Sequence, residues 1–373
     1  MSEENVRSLL GVFLLGLLSG FGSIASPVLP QYAERLGASY GGIGLFFSAY
    51  SLTWSFLQLY TGYLSDRYGR KRFAMLGLSI YGLSFILLGL SQNFFQLIIF
   101  RVLQGVGLGL FGPAGLGLVA QLKGRGKSFA LYRTSNSLAS MLGPVIGGII
   151  GSMNISYPFY TGGLLSFLAI PSVFLLYEKE YHAREEKKFF TSLRGIVLIN
   201  KIILICLATF MVELTFASLE LIIPLFGSSI GLSPTSIGII LSSYFIAFTL
   251  FQIPIGVISE KINKKTLIIL CSFAGALPFI ILSNFHDIFV MSLALGALGI
   301  TLGTVYVQAS ALIAEVAPED KKSLYMAFFD SVIDLSFIIM PPIAAYAFTY
   351  RPTAPFILCA SLMIIGGIIF MKE

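Results

Sequence analysis

The sequence predicts an all-α integral membrane protein that crosses the bilayer twelve times and is internally duplicated. Charged residues make up only 11% of the 373 positions and hydrophobic ones 56%, with a mean hydropathy of +0.87, outside the range of soluble domains. Twelve apolar windows are each long enough to cross ~30 Å of hydrocarbon, which takes ~20 helical residues. The third observation is a repeat: Gly62-Tyr63-Leu64-Ser65-Asp66-Arg67-Tyr68-Gly69-Arg70-Lys71 returns 194 positions later as Gly256-Val257-Ile258-Ser259-Glu260-Lys261-Ile262-Asn263-Lys264-Lys265. Upstream, at the same offset and without a gap, Pro30, Gly37, Gly44, Tyr50 and Gln58 recur as Pro224, Gly231, Gly238, Tyr244 and Gln252.

In chain order the windows are 9–30, 41–61, 73–91, 95–119, 128–151, 157–177, 198–226, 236–258, 266–284, 289–314, 323–348 and 355–371. The first begins within about nine residues of Met1 without a basic leader or small-residue cleavage site, and is expected to be a retained helix. An even number of spans from an inside N-terminus assigns every loop, and the bases test the assignment. Of the 24 Lys and Arg, twenty fall inside, only Arg35 and Arg351 fall outside, and Arg101 and Arg133 lie within spans. That bias sets the orientation, with both termini cytoplasmic. The only long polar segment, rich in Glu, Lys and Arg, separates the sixth and seventh windows, so the expected division is residues 1–177, a cytoplasmic linker at 178–197, and 198–373. A second register supports the duplication: Ala130, Leu138 and Pro144 match Ala327, Leu335 and Pro341 at an offset of 197, a three-residue loop indel.

Several function classes drop out. Cys206, Cys271 and Cys359 lie singly in apolar runs and form neither a disulfide framework nor a metal-ligand spacing. His182 and His286 are far apart and both expected in loops, which disfavours a histidine metal site or proton relay. The net charge of +6 does not mark a nucleic-acid binder, because the bases are topogenic. Gly227-Ser228-Ser229-Ile230-Gly231 matches a nucleophile elbow, but it is expected in an outer loop, not between a strand and a helix. Gly107 to Gly112 matches G-x-G-x-x-G without a βαβ unit, and no complete G-x-x-x-x-G-K-[ST] phosphate loop exists, Gln121 standing where the first glycine before Gly126-Lys127-Ser128 would be, so neither hydrolase chemistry nor self-driven ATP hydrolysis is expected.

The first repeat resembles motif A of the major facilitator superfamily, G-x-L-a-D-r-x-G-r-k, at all its marked positions: Gly62, Asp66, Arg67, Gly69, Arg70 and Lys71. The resemblance implies two six-helix bundles related by pseudo-symmetry, with substrate bound between them near the midplane. It also implies a conformational latch at this hinge. Gly62 would let helices pack closely. Asp66 would either accept from backbone N–H groups at a neighbouring helix start or pair with a base, and Arg67, Arg70 and Lys71 would meet the anionic leaflet. For Arg72, or Lys71 alone, a topogenic role suffices. The second copy keeps Gly256, Lys264 and Lys265, but Glu260 stands for the aspartate and Asn263 for the second glycine. Leu97 to Gly107 is similar to motif B, with Arg101, Gln104 and Gly105 at marked positions; a buried guanidinium should face a cavity or snorkel outward. Gly143, Pro144, Gly147 and Gly148 are similar to motif C, G-P-x-x-G-G, of drug/proton antiporters, although Ala139 and Ser140 stand where the motif has earlier glycines. Close packing and bending follow from such a helix; the resemblance points toward export.

Four carboxylates fall within apolar windows: Glu213 and Glu220 in the seventh, Asp330 and Asp334 in the eleventh. Seven and four residues apart, each pair shares a helix face. Acids at membrane depth are candidates to carry protons, and Glu213, near mid-span, leads them, with Glu220 and Arg101 as candidate partners and Asp334 in reserve. Arg133 and Asp330 occupy equivalent places in the two halves and are expected to be structural. Tyr50, Trp54, Tyr244 and Phe248, with Ser19, Ser23 and Ser26, suit apolar or aromatic ligands better than sugar phosphates. By resemblance, the expected activity is secondary active transport by alternating access: proton-coupled efflux of small apolar or amphipathic compounds. The chain is expected to be a plasma-membrane monomer needing no cofactor beyond the proton gradient and binding no nucleic acid. The rivals are uptake of a sugar or organic acid, and a non-transporting sensor or scaffold, against which the intramembrane charges count.

Overall fold

Hydrocarbon offers backbone groups no hydrogen-bond partner, so a chain of this composition satisfies them within helices. The computed structural model describes residues 3–122, 125–178, 200–259, 261–318 and 322–372. Among them run thirteen α-helices and no strand: α1 (Glu3–Gly20), α2 (Leu29–Arg35), α3 (Tyr40–Tyr68), α4 (Arg70–Gly89), α5 (Phe94–Ala120), α6 (Arg125–Met153), α7 (Tyr157–Phe174), α8 (Asn200–Ser229), α9 (Pro234–Ser259), α10 (Lys264–Asn284), α11 (Ile288–Val316), α12 (Lys322–Tyr350) and α13 (Ala354–Lys372). All but α2 correspond to the twelve apolar windows. Ten are long and apolar enough to cross a membrane by length and composition; α3 and α7 are the other two long helices. The expected linker lies outside the described residues except for Glu178.

Polar side chains start several helices where the apolar runs begin. Ser39 accepts from the Gly42 amide at 3.2 Å, Asn93 from Gln96 at 3.0 Å, and Asp287 from Phe289 and Val290 at 3.0 and 3.1 Å. Two expectations need correction. The first window is not one helix to residue 30: α1 stops at Gly20, a 3-10 turn covers Phe21–Ala25, and α2 restarts with proline in its first turn. Pro27 and Pro30 lack the N–H groups a continuous helix would use. Gly227 to Ser229 are not loop but the last turn of α8, which runs on because the helix stays buried to Gly227.

Contacts divide the chain into two compact units: Met1–Arg184 with Gly231–Ser242, and Glu185–Ile230 with Ser243–Glu373. The start of α9 therefore groups with the first unit. In that unit Leu15, Leu78, Phe111, Leu118, Tyr132 and Val173 belong to one buried apolar cluster.

Glycines set the helix spacing. On one face of α5, a Cβ at Gly105 would lie 2.6 Å from the Tyr50 carbonyl oxygen and one at Gly109 2.7 Å from the Leu57 side chain, so α3 rests directly on it. On another face, a Cβ at Gly107 would lie 2.5 Å from the Tyr81 amide of α4, and one at Gly77 2.5 Å from the Phe111 amide of α5. In the second unit, Gly299 and Gly303 of α11 meet Tyr244 and Phe248 of α9 in the same way, each glycine 194 positions after Gly105 and Gly109. Small residues at such crossings let dispersion hold helices that gain little by leaving lipid.

Filling these sites should cost far more than filling an open one. Gly107→Val is expected to destabilise the detergent-solubilised protein by about 1–3 kcal/mol. Gly62→Ala, where a Cβ meets no atom within 4 Å, should leave the thermal unfolding midpoint unchanged. Equal midpoints for the two variants would refute the packing argument.

Candidate functional site

Arg101 projects from α5 into the first unit and is buried, 8% exposed. Its Nη1 donates to Gln104 Oε1 at 2.5 Å one turn along, and Gln104 is itself buried. The guanidinium carbon lies 5.0 Å from the Phe46 ring centre, 5.4 Å from Phe47 and 4.3 Å from Tyr50, all on α3. Three ring faces are an electrostatically favourable surround for a cation away from water. The close α3–α5 approach at Gly105 brings those rings within reach.

The motif A hinge is a single residue. Helix continues through Tyr68, Gly69 takes φ +104, and α4 begins at Arg70. That φ favours glycine, which accounts for Gly69. Arg70 Nε donates to Asp66 Oδ1 at 2.5 Å, and its Nη1 to the Gly117 carbonyl of α5 at 2.7 Å. Of the two partners considered for Asp66, the base is the one observed. Gly62 supplies no close packing, since a Cβ there would meet open space. Arg67 lies over the Tyr68 ring at 5.4 Å, and the Lys71 amide donates to Glu178 Oε1 at 3.1 Å. In the second unit, Asn263 replaces the glycine with an ordinary φ of −56 and caps α10 by accepting from the Lys265 amide at 2.9 Å. Lys264, the counterpart of Arg70, pairs with Glu315 of α11 at 2.5 Å. Each hinge is thus tied by its first helical base to the helix that follows, α5 or α11. Gly256, like Gly62, faces open space, and Glu260 lies outside the described residues.

The motif C glycines are contact points. A Cβ at Gly143 would sit 2.6 Å from Ser23 Oγ, Gly147 lies against the backbone of Ile24 in the 3-10 turn, and Gly148 lies against Pro234 at the start of α9. Gly238 returns the contact on Pro144, and Ser152 Oγ and Thr235 Oγ1 share a hydrogen bond of 2.8 Å.

Glu213 of α8 is buried, 4% exposed, and no hydrogen bond or ion pair engages it among the described residues. It lies within electrostatic reach of Tyr244. One turn on, Phe216 stacks on Tyr244 at 5.1 Å and meets Phe337 of α12 edge-on at 5.6 Å; Tyr244 in turn stacks on Phe248 at 6.1 Å. Glu220 and Asp334 are half-buried and each has a partner. Asp330 is exposed and accepts from the Tyr306 hydroxyl at 3.3 Å, and Arg133 is exposed. The sequence reading missed Phe46, Phe47, Phe216 and Phe337 as site residues. It also missed Gly299 and Gly303, which the 194-residue offset of Gly105 and Gly109 points to directly.

The family model described as Major Facilitator Superfamily matches residues 11–226 and again 205–372. The chain belongs to the major facilitator superfamily. It is a multi-pass membrane protein of that superfamily, and its helices and repeats are those of the superfamily fold. Quinolone resistance protein NorA of Staphylococcus aureus (strain MSSA476) is 29% identical over 252 residues, 65% of this chain and 63% of NorA, so the match spans less than two thirds of that relative. Multidrug resistance protein 2 of Bacillus subtilis (strain 168) is 27% identical over 266 residues, 67% of this chain and 66% of the relative. Among solved structures, the nucleoside transporter NupG matches with a TM-score of 0.81 at 14% identity over 100% of this chain and 99% of that one. The human organic anion transporter MFSD10 matches with 0.69 at 17% identity over 99% and 100%. These two show the superfamily fold.

The hinge makes a stability and a rate prediction. Gly69→Ala forces a side chain into a positive φ and should cost about 1–3 kcal/mol, read as a lower unfolding midpoint. Asp66→Asn removes the charge that orients Arg70; it should insert and fold normally yet slow counterflow in proteoliposomes. Wild-type counterflow would leave these charges a topogenic role only.

Proposed function

We propose that the chain is a secondary active transporter that exports small amphipathic compounds in exchange for protons by alternating access. One observation carries the reading: Glu213 is a buried carboxylate with no paired base among the described residues, set beside a run of stacked aromatic rings. A carboxylate held away from water with no counter-charge is a poor structural element, because its burial is uncompensated. As a proton carrier it has a use. It accepts a proton when the site is closed to substrate and yields it when substrate or water arrives, which makes proton and substrate compete. Phe216, Tyr244, Phe248 and Phe337 offer flat apolar faces but no phosphate-binding bases, which favours amphipathic or aromatic substrates over sugar phosphates.

The likeness to quinolone and multidrug resistance proteins supports export of such compounds, and the motif C contacts at Gly143, Gly147 and Gly148 support the same direction by resemblance. Residence in the plasma membrane with both termini cytoplasmic is part of the proposal, supported by the base distribution.

Glu213→Gln keeps size and hydrogen bonding while removing titration. In vesicles under a pH jump, the variant should no longer accumulate substrate against its gradient, while downhill exchange persists. Asp334→Asn should accumulate as wild type does. Accumulation by Glu213→Gln at the wild-type level would leave Glu213 a packed polar residue, and absence of counterflow for every labelled ligand tried on the wild type would favour a non-transporting scaffold.

A further inference from the structure

Three helix ends converge at the motif A end of the first unit: the start of α1, the start of α4 and the end of α7. Between them lies a cavity of about 540 Å³ lined by Arg7, Ser8, Lys71, Phe174, Tyr177 and Glu178, among others. The transport reading makes no use of it. Arg7 comes from α1 and Lys71 from α4, and neither side chain forms an ion pair among the described residues. The acid at the rim, Glu178, is engaged by the Lys71 amide at 3.1 Å, so that amide is already taken. An anion entering the cavity meets the two side-chain cations, Arg7 and Lys71. Two bases and one acid leave a single net positive charge, the complement of one phosphodiester.

The walls decide between a soluble anion and a lipid. Phe174 and Tyr177 are 65% and 62% exposed, on the base-rich side of the chain. Exposed aromatic rings at a helix end are suited to the level where hydrocarbon gives way to headgroups. A small phosphate would gain nothing from them, whereas the acyl and glycerol part of a lipid would cover them. Basic clefts between membrane helices at this level recognise anionic headgroups.

We propose that this cavity binds the headgroup phosphate of an anionic glycerophospholipid, with Arg7 and Lys71 holding the phosphate and Phe174 and Tyr177 flanking the glycerol. Bound there, one lipid bridges α1, α4 and α7 beside the Gly69 hinge.

The test is native mass spectrometry of the full-length protein titrated with phosphatidylglycerol, phosphatidylcholine and inorganic phosphate, with unfolding midpoints in lipid-free detergent as a folding control. Phosphatidylglycerol should bind in preference to phosphatidylcholine, and millimolar inorganic phosphate should not displace it. Arg7→Gln should weaken phosphatidylglycerol binding about five-fold, the loss of one base near the headgroup. Arg7→Lys should restore it, and Arg35→Gln, a base at the other end of the unit, should leave it unchanged. Glu178→Gln should tighten it, since the opposing charge is gone while an oxygen remains for the Lys71 amide. Unchanged binding by Arg7→Gln overturns the proposal, as does equal binding of phosphatidylcholine; displacement by inorganic phosphate would reassign the cavity to a soluble phosphate.

Discussion

A helix surrounded by hydrocarbon gains little by exchanging lipid contacts for another helix's leucines, so association rests on how closely two backbones approach. In this protein the approach is made at glycine. Gly105 and Gly109 admit α3 to α5, Gly107 and Gly77 bring α4 to the same helix, and Gly299 and Gly303 repeat the first of these contacts between α11 and α9. The side chains of interest depend on them. The rings of Phe46, Phe47 and Tyr50 reach Arg101 because α3 lies against α5 at Gly105, and Tyr244 and Phe248, against which Gly299 and Gly303 pack, form the stacked run beside Glu213.

The duplication supplies the scaffold, and its departures supply the chemistry. Tyr50 and Trp54 correspond to Tyr244 and Phe248, and the glycines facing them correspond as well. The charges do not. Arg101 is matched by Leu295, and Glu213 by Ser19, whose hydroxyl bonds its own helix at Leu15. A buried base in one unit and a buried acid in the other thus occupy non-equivalent places on equivalent frames. Positions where a repeat abandons its own rule without a packing reason are where function is expected.

The hinges show the same divergence at smaller scale. Gly69 turns with a positive φ, while Asn263 turns with an ordinary φ and supplies its own cap. Both then tether a basic residue to the next helix: Arg70 to the Gly117 carbonyl, Lys264 to Glu315. The first hinge has the ion pair within the turn through Asp66, and Glu178 secures the amide of Lys71 from α7's end. A break of one residue leaves little slack between α3 and α4, and the Asp66–Arg70 pair spans it.

Hydropathy alone determined that the chain is helical and membrane-spanning, and placed ten of its twelve long helices within a few residues, α3 running on seven residues past its window to Tyr68, because a lipid solvent enforces both helix and length. The internal repeat and the motif A residues were equally legible, being matters of spacing along the chain. The break in the first span was not, since Phe21–Ala25 is as apolar as its neighbours and only the prolines after it hint at a stop. Neither was the reason for Gly62, which reads as a packing residue and faces open space, nor the ring surround of Arg101, where Phe46 and Phe47 look like any lipid-facing aromatics. The cause is common to these cases. In a soluble protein the polar face of a helix announces which side turns inward, but in a membrane nearly every face is apolar, so which side chains meet is decided by backbone contacts that form only when the helices are packed.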